Sequence, residues 1–363
     1  MAVEIVQLRE RRRRTGHRRS HLSGPHRGGL RRLAGRLAMP ALLVATAAVL
    51  VLAVQPRTLA SAMSRLDLPV VLLSLGVTLS LYLAQGVRWH QLLGAVGARL
   101  RLPDSLLLNA AGQTVTAVVP LGDLTRAAFA SEASGTEFGR VAATVTVQEL
   151  AYTLLLVLSS LPVLLELHLG VGAVLVVVAG VAMVLTVLVV PPVYRVVREA
   201  AARLPLLRRL LPQLDELHDS TAELLRRPDT LRWTVLDAAR AALAITLLWL
   251  IVRGLAPGVL GWWQAAFVMA FSYVGGALSL VPGGAGASEA GTVGLLVLLH
   301  VDPATATAAA LVQRVLTTGV AALVGWTAYL LARRRFELGS PFAVRAQGRS
   351  GTNDRPPALR PAA

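Results

Sequence analysis

Apolar residues in this chain come in long blocks, and the few polar residues inside those blocks are isolated. Blocks at 37–54, 70–93, 139–165, 170–190, 231–253 and 304–331 are each nearly continuous in Leu, Val and Ala. At about 1.5 Å of rise per residue, helices of this length cross a hydrocarbon core roughly 30 Å thick. Two further apolar regions, 105–131 and 262–299, are interrupted midway. The first is broken by Pro120-Leu121-Gly122-Asp123 and the second by Pro282-Gly283-Gly284-Ala285-Gly286. Proline removes a backbone donor and glycine opens conformations that a helix does not use. The halves of the first region, about 14 and 11 residues, are too short to span alone. The pattern predicts an all-α polytopic membrane protein with about six full transmembrane helices plus two re-entrant or broken helical hairpins. Two full crossings in place of either hairpin would satisfy the same pattern, as would a plain loop between ordinary spans.

The two breaks share a context. Each follows an apolar half-helix and precedes an acidic residue, Asp123 or Glu289. An arginine near the end of a span lies upstream of each (Arg88, Arg253), and an ionisable residue within the next span lies downstream (Glu149, Arg314). The units begin at the second and fifth full spans, so they run through the membrane in opposite directions. Broken segments paired in inverted halves point to a transporter-like site near the midplane. The expected fold is therefore an inverted repeat.

Composition narrows the class. The 363 residues are 55% hydrophobic and 15% charged, with no cysteine, which excludes a disulfide framework, a thiolate metal site and a cysteine nucleophile. The net charge of +16 is carried by arginine, and eleven arginines fall in residues 1–36. That stretch reads as a basic, disordered cytoplasmic arm facing anionic headgroups rather than nucleic acid. Residues 37–335 form the transmembrane domain, with 191–230 as a cytoplasmic amphipathic connector. In that connector Leu204, Leu207, Leu211, Leu214 and Leu217 recur at roughly helical spacing. Residues 336–363 read as a disordered cytoplasmic tail. With both termini in the cytoplasm, nearly all loop arginines fall inside, Arg57 and Arg65 excepted, as the positive-inside rule requires. The arginine-only basic usage suggests a GC-rich genome.

A charged side chain at a helix centre costs roughly 2.5–3.5 kcal/mol on insertion scales, so Glu149 and Arg314 call for partners or water. Arg126 and Arg314 are the candidate ligands of a lipid phosphate, because the guanidinium fork meets phosphate oxygens in a bidentate manner. Asp123, Glu149, Glu289, Arg88 and Gln313 are the supporting polar and charged groups. Pro120, Gly122, Pro282, Gly283, Gly284 and Gly286 are the helix-breaking residues. A purely structural role is the competing reading, in which Asp123–Arg126 and Glu149–Arg314 are ion pairs that fix helix register. Catalytic motifs are weak. Ser288 within Gly286-Ala287-Ser288-Glu289 has only His300 as a nearby base, and HExxH, P-loop and dinucleotide fingerprints are missing. No metal, cofactor or enzymatic activity is expected.

At 281–291 and Gln313-Arg314 the chain resembles the lysylphosphatidylglycerol synthase transmembrane-region family, also described as flippase-like integral membrane proteins. The family pattern is approximately P-G-G-x-G-x-x-E followed by an apolar helix and an arginine-bearing helix. An earlier family block resembles 114–126, where Gly122, Asp123 and Arg126 match. In the following helix Glu149 matches, but Leu150 stands where the family usually has arginine. The resemblance covers about residues 37–335. It implies a lipid-translocating membrane domain, like the membrane half of multiple-peptide-resistance factors, without the soluble domain that performs aminoacyl transfer. The expected partners are membrane lipids, anionic or isoprenoid and phosphate-bearing. The alternatives are a non-catalytic membrane partner of a separate lipid- or glycan-modifying enzyme, and an intramembrane enzyme.

Overall fold

A computed structural model describes residues 64–116, 123–166, 190–203, 211–279 and 286–336, with scattered positions between 175 and 187. The basic arm, the 37–54 block, most of the 170–190 block, the tail and the break residues Pro120, Gly122, Pro282, Gly283 and Gly284 lie outside the described residues. So do the side chains of the connector leucines named above. Among the described residues every regular element is helical.

Four helical stretches are long and apolar enough to cross a membrane: Leu68–Ala95, Phe138–Glu166, Pro228–Leu255 and Pro303–Phe336. They coincide with four of the six expected spans. The elements in chain order are α1 (Leu68–Ala95), α2 (Leu102–Thr116), α3 (Leu124–Ser134), α4 (Phe138–Ser159) and α5 (Leu161–Glu166). The connector supplies α6 (Pro191–Ala202) and α7 (Leu211–Arg226), and α8 (Pro228–Arg232) leads into α9 (Thr234–Leu255). Then come α10 (Trp262–Leu278), α11 (Ala287–Leu298), α12 (Pro303–Arg314), a π-helical turn at Val315–Gly319 and α13 (Val320–Phe336).

Local chemistry sets the ends of these elements. Pro69, Pro228 and Pro303 open α1, α8 and α12, where a missing N–H costs nothing. The Asp302 carboxylate accepts the Thr305 N–H at 3.0 Å and caps α12. Gly135 ends α3 in the left-handed region, φ 69°.

The burial pattern of α1 is inside out. Leu72, Leu73, Leu79 and Leu83 are exposed, whereas Ser74, Thr78, Gln85, Arg88 and Trp89 are buried. This is the face arrangement of a helix that presents leucine to lipid and hydrogen-bonding groups to its neighbours. The long helices pack with α1 against α9, and α4 against α9 and α10. Each broken region folds back on itself, α2 against α3 and α10 against α11, and α13 lies along α2.

Small residues permit the closest approaches. A Cβ on Gly325 would lie 2.5 Å from Thr114 Oγ1 and 2.7 Å from the Ala110 carbonyl, so glycine lets α13 touch the backbone of α2. A Cβ on Gly112 would lie 2.5 Å from the Arg126 Cβ, and glycine there sets the α2–α3 crossing that delivers Arg126 inward.

Candidate functional site

The polar positions of α1, α3, α4, α9 and α10 meet at one carboxylate. Glu149, midway along α4, accepts from Arg126 Nη2 at 2.9 Å, and Arg240 Nη1 reaches its two oxygens at 3.0 and 3.2 Å. The Tyr273 hydroxyl donates to Oε2 at 3.1 Å and Gln85 Nε2 to Oε1 at 3.4 Å. Arg126 Nη1 is held by the side-chain oxygens of Asn109 (2.8 Å) and Gln148 (2.9 Å). Gln148 in turn donates to the Gln85 carbonyl at 2.8 Å, and Gln113 to the Gln85 side chain at 3.3 Å. Aromatic rings close the walls. The Arg126 guanidinium lies 5.3 Å from the Trp89 ring centroid and that of Arg240 lies 3.9 Å from Tyr152, with Tyr152 edge-on to Tyr273.

Gln85 sits ten residues before the end of α1, so the cluster lies about 15 Å inside the bundle from that end. Arg126 is fully buried, and the Glu149 side chain keeps 20% exposure. Burial leaves guanidinium donors unspent: Nε of Arg126 and of Arg240 is buried without a hydrogen-bond partner among the described residues. An adjoining pair repeats the theme. Arg88 Nε meets Asp237 Oδ2 at 2.8 Å, while Arg88 Nη1 and Nη2 and Asp237 Oδ1 are buried without a hydrogen-bond partner among the described residues.

The second hairpin brings its own pair. Arg314 Nη1 bonds Glu289 Oε1 at 2.8 Å, and Glu289 Oε2 accepts the Gly286 N–H at 2.7 Å. Gly286 has φ 83°, a conformation glycine adopts without strain, so it starts α11 with the carboxylate folded back over the first turn. The Tyr82 hydroxyl, one turn before Gln85, donates to the Thr317 carbonyl of the π turn at 3.2 Å. Tyr82 lies within electrostatic reach of Arg240, Asp123 and Arg314, so both hairpins' charges gather around α1.

Of the charged residues singled out in the sequence, Arg126 and Glu149 meet in one cluster, Arg88 pairs with Asp237 and Glu289 with Arg314, and the pairing differs from that expected. Glu149 pairs with Arg126 and Arg240, not with Arg314, because α4 faces α3 and α9 while Arg314 faces the start of α11. Asp123 stands at the head of α3, and Gln313 Nε2 lies 2.9 Å from Met269 Sδ. Arg88 is buried against Asp237, whereas Arg253, its expected counterpart, is exposed beside Trp249. Ser288 packs on Gly276 in the first turn of α11, whereas His300 lies beyond the C-terminal end of that helix, which puts about 15 Å of helix between them, so they form no nucleophile–base pair. Sequence reasoning did not assign Arg240, Asp237, Asn109, Gln85, Gln148 or Tyr273 to the site. Asp237 and Arg240 carried a usable signal: two opposite charges three apart occupy one helix face.

These features define a polytopic helical membrane protein with two broken helical regions and a buried charged cluster between them. The chain belongs to the lysylphosphatidylglycerol synthase transmembrane-region family, whose profile matches residues 39–325. No curated protein matches the chain. Family and fold together describe a membrane protein related to lipid modification or translocation.

Proposed function

We propose that this protein moves a phosphate-bearing lipid, anionic or isoprenoid, across the bacterial cytoplasmic membrane, and that it does so without covalent chemistry. One observation carries the reading. Two guanidiniums, a phenol and an amide from four helices are gathered on a single carboxylate inside the bundle, with further guanidinium N–H groups unspent. That is the donor set a phosphate oxyanion would take. In this arrangement Glu149 occupies the donors, and an entering headgroup competes with it for Arg126 and Arg240. Arg314, held by Glu289, is the corresponding donor of the second hairpin.

An inverted repeat is supported by the packing. Exchanging α1–α4 for α9–α13 carries α2–α3 onto α10–α11, α1–α2 onto α9–α10, and α10–α4 onto α2–α13, and each of these pairs is in contact. The charges exchange as well. In the first unit a hairpin arginine pairs with a helix glutamate, and in the second a hairpin glutamate pairs with a helix arginine. Both termini lie in the cytoplasm in this reading, and a separate lipid-modifying enzyme is the natural supplier or consumer of the lipid.

The test is translocation of fluorescent phospholipid and polyprenyl-phosphate analogues in proteoliposomes, comparing wild type with Arg126→Ala and Arg314→Ala. Translocation by wild type that falls at least roughly tenfold in either variant, the loss of one charge-assisted contact, supports the reading. Folded wild type that moves neither lipid class overturns it. Glu149→Gln sharpens the result, because removing the competing charge is expected to tighten lipid binding while Arg126→Ala weakens it.

A further inference from the structure

Away from the buried cluster, the connector forms an open cavity of about 870 Å³ between α6 and α7. Arg195 and Arg198 line it from α6, and Arg226 and the adjoining Arg227 line it from the α7 side. Three carboxylates, Asp215, Asp219 and Glu223, also line it, so its formal balance is four positive against three negative. Three of the arginines, Arg198, Arg226 and Arg227, already have partners. Arg198 forks onto Asp215 at 2.6 and 3.0 Å, and Arg227 pairs with Glu223 while donating to the Ala95 carbonyl at 2.8 Å. Arg195 makes no ion pair among the described residues and is exposed.

A second, independent feature lies deeper in the same cavity. His218 is only 6% exposed, stacks on Tyr194 with ring centroids 3.6 Å apart, and has Nδ1 buried without a hydrogen-bond partner among the described residues. A buried ring nitrogen left unpaired costs free energy that a ligand contact would recover. The Tyr194 hydroxyl is committed to Asp215 at 3.0 Å, so the stack is anchored before any ligand arrives.

Position completes the argument. Arg88 meets Asp237, Trp89 meets Thr144 and Gln85 meets Gln148, so the end of α1 and the starts of α4 and α9 lie at one end of the bundle. Arg227 reaches the Ala95 carbonyl at that end, and α7 packs along α4. The cavity is thus seated at the end of the bundle where α1 finishes and α4 and α9 begin.

We propose that this cavity is a second binding site, distinct from the buried cluster, for a phosphate-bearing group held by Arg195, Arg226 and His218 Nδ1. Guanidiniums from two helices meet phosphate oxygens as forks, and the imidazole supplies the inner contact. The group is either a membrane lipid headgroup or a soluble phosphate.

The experiment uses the full chain in phosphatidylcholine nanodiscs. One arm titrates inorganic phosphate, followed by phosphorus NMR line broadening. The other incorporates phosphatidylglycerol and counts retained lipid by native mass spectrometry. Arg195→Ala removes an exposed side chain with no ion pair among the described residues, and His218→Phe keeps the ring stack while deleting Nδ1, so neither removes a described contact on which the connector depends. Binding that weakens roughly tenfold in both variants, in either arm, supports the site. Loss in the phosphatidylglycerol arm alone identifies a headgroup, and loss in the phosphate arm identifies a soluble ligand. Wild type that binds neither probe, or variants that bind as wild type does, overturns the proposal. Arg126→Ala, which acts on the buried cluster, is expected to leave the loss caused by Arg195→Ala intact, so failure of this site and failure of the transport reading are separable.

Discussion

At the scale of single residues, the cost of burying charge governs what substitutions do. Asp237 and Arg88 are each at most 1% exposed, and among the described residues each leaves polar atoms unsatisfied beyond their shared contact. Asp237→Ala leaves a buried guanidinium without its counter-charge, which costs about 3–5 kcal/mol. Replacing both residues with leucine is expected to recover most of that loss. Thermal unfolding followed by tryptophan fluorescence in detergent measures both, and a double variant no more stable than Asp237→Ala refutes the argument. The residue scale is also where sequence reasoning fell shortest. Glu149 and Arg126 were legible as charges in apolar surroundings, because insertion energetics flags any such residue. The partner was not. Glu149 faces two helices at once, and nothing in the linear pattern ranks α9 above the arginine-bearing helix at the C-terminal end, so Arg240 was passed over for Arg314. Arg88 and Arg253 look alike in sequence, yet one is buried and the other is exposed beside Trp249.

At the scale of elements, much more was readable. The blocks at 70–93, 139–165, 231–253 and 304–331 became helices because hydrocarbon leaves the backbone no other partner for its N–H and C=O groups. The broken regions also emerged as half-helices, of 15 and 11 residues in the first and 17 and 12 in the second. What the pattern could not give was the packing of those halves, which turns on single glycines. Gly112→Val would drive two methyl groups into the Arg126 backbone, where even one Cβ stands 2.9 Å from the Cα. Overpacking of this kind costs about 1–3 kcal/mol. More tellingly, it displaces Arg126 from Asn109 and Gln148. Gly112→Val should therefore lower lipid translocation as far as Arg126→Ala does, with a smaller loss at Gly94→Ala, where the added Cβ meets nothing within 4 Å. Equal activity of Gly112→Val and wild type would refute the claim that this crossing positions the arginine.

At the scale of the whole molecule, the connector and the membrane bundle respond to different conditions. The hydrogen bonds from Arg198, joined by Tyr194, hold the Asp215 carboxyl below its usual range, and burial pushes the Tyr194 phenol up to about 12. A depressed carboxyl stabilises the folded connector above its unfolded value of about 3.9, and that contribution disappears as pH falls through the folded value. The raised phenol contributes fully below about 10 and is lost as pH rises through about 12. Limited proteolysis between α6 and α7 should accelerate below about pH 4 and again toward pH 12, with Asp215→Asn abolishing the acid limb. Cleavage independent of pH would count against the Arg198–Asp215–Tyr194 contacts as the connector's clasp. One feature also binds the two hairpins to each other. The last long helix meets Glu289 through Arg314 and α2 through Gly325, with the π turn between them. A π turn holds one residue more than the α-helix it interrupts, and each residue rotates the helix by about 100°. The extra residue is therefore a phase shifter that lets one helix address two hairpins. A one-residue gap is accordingly expected to be tolerated at this turn. Deleting Thr318 closes the bulge and keeps both contacts in phase, whereas a deletion at Ala309 throws Arg314 off Glu289.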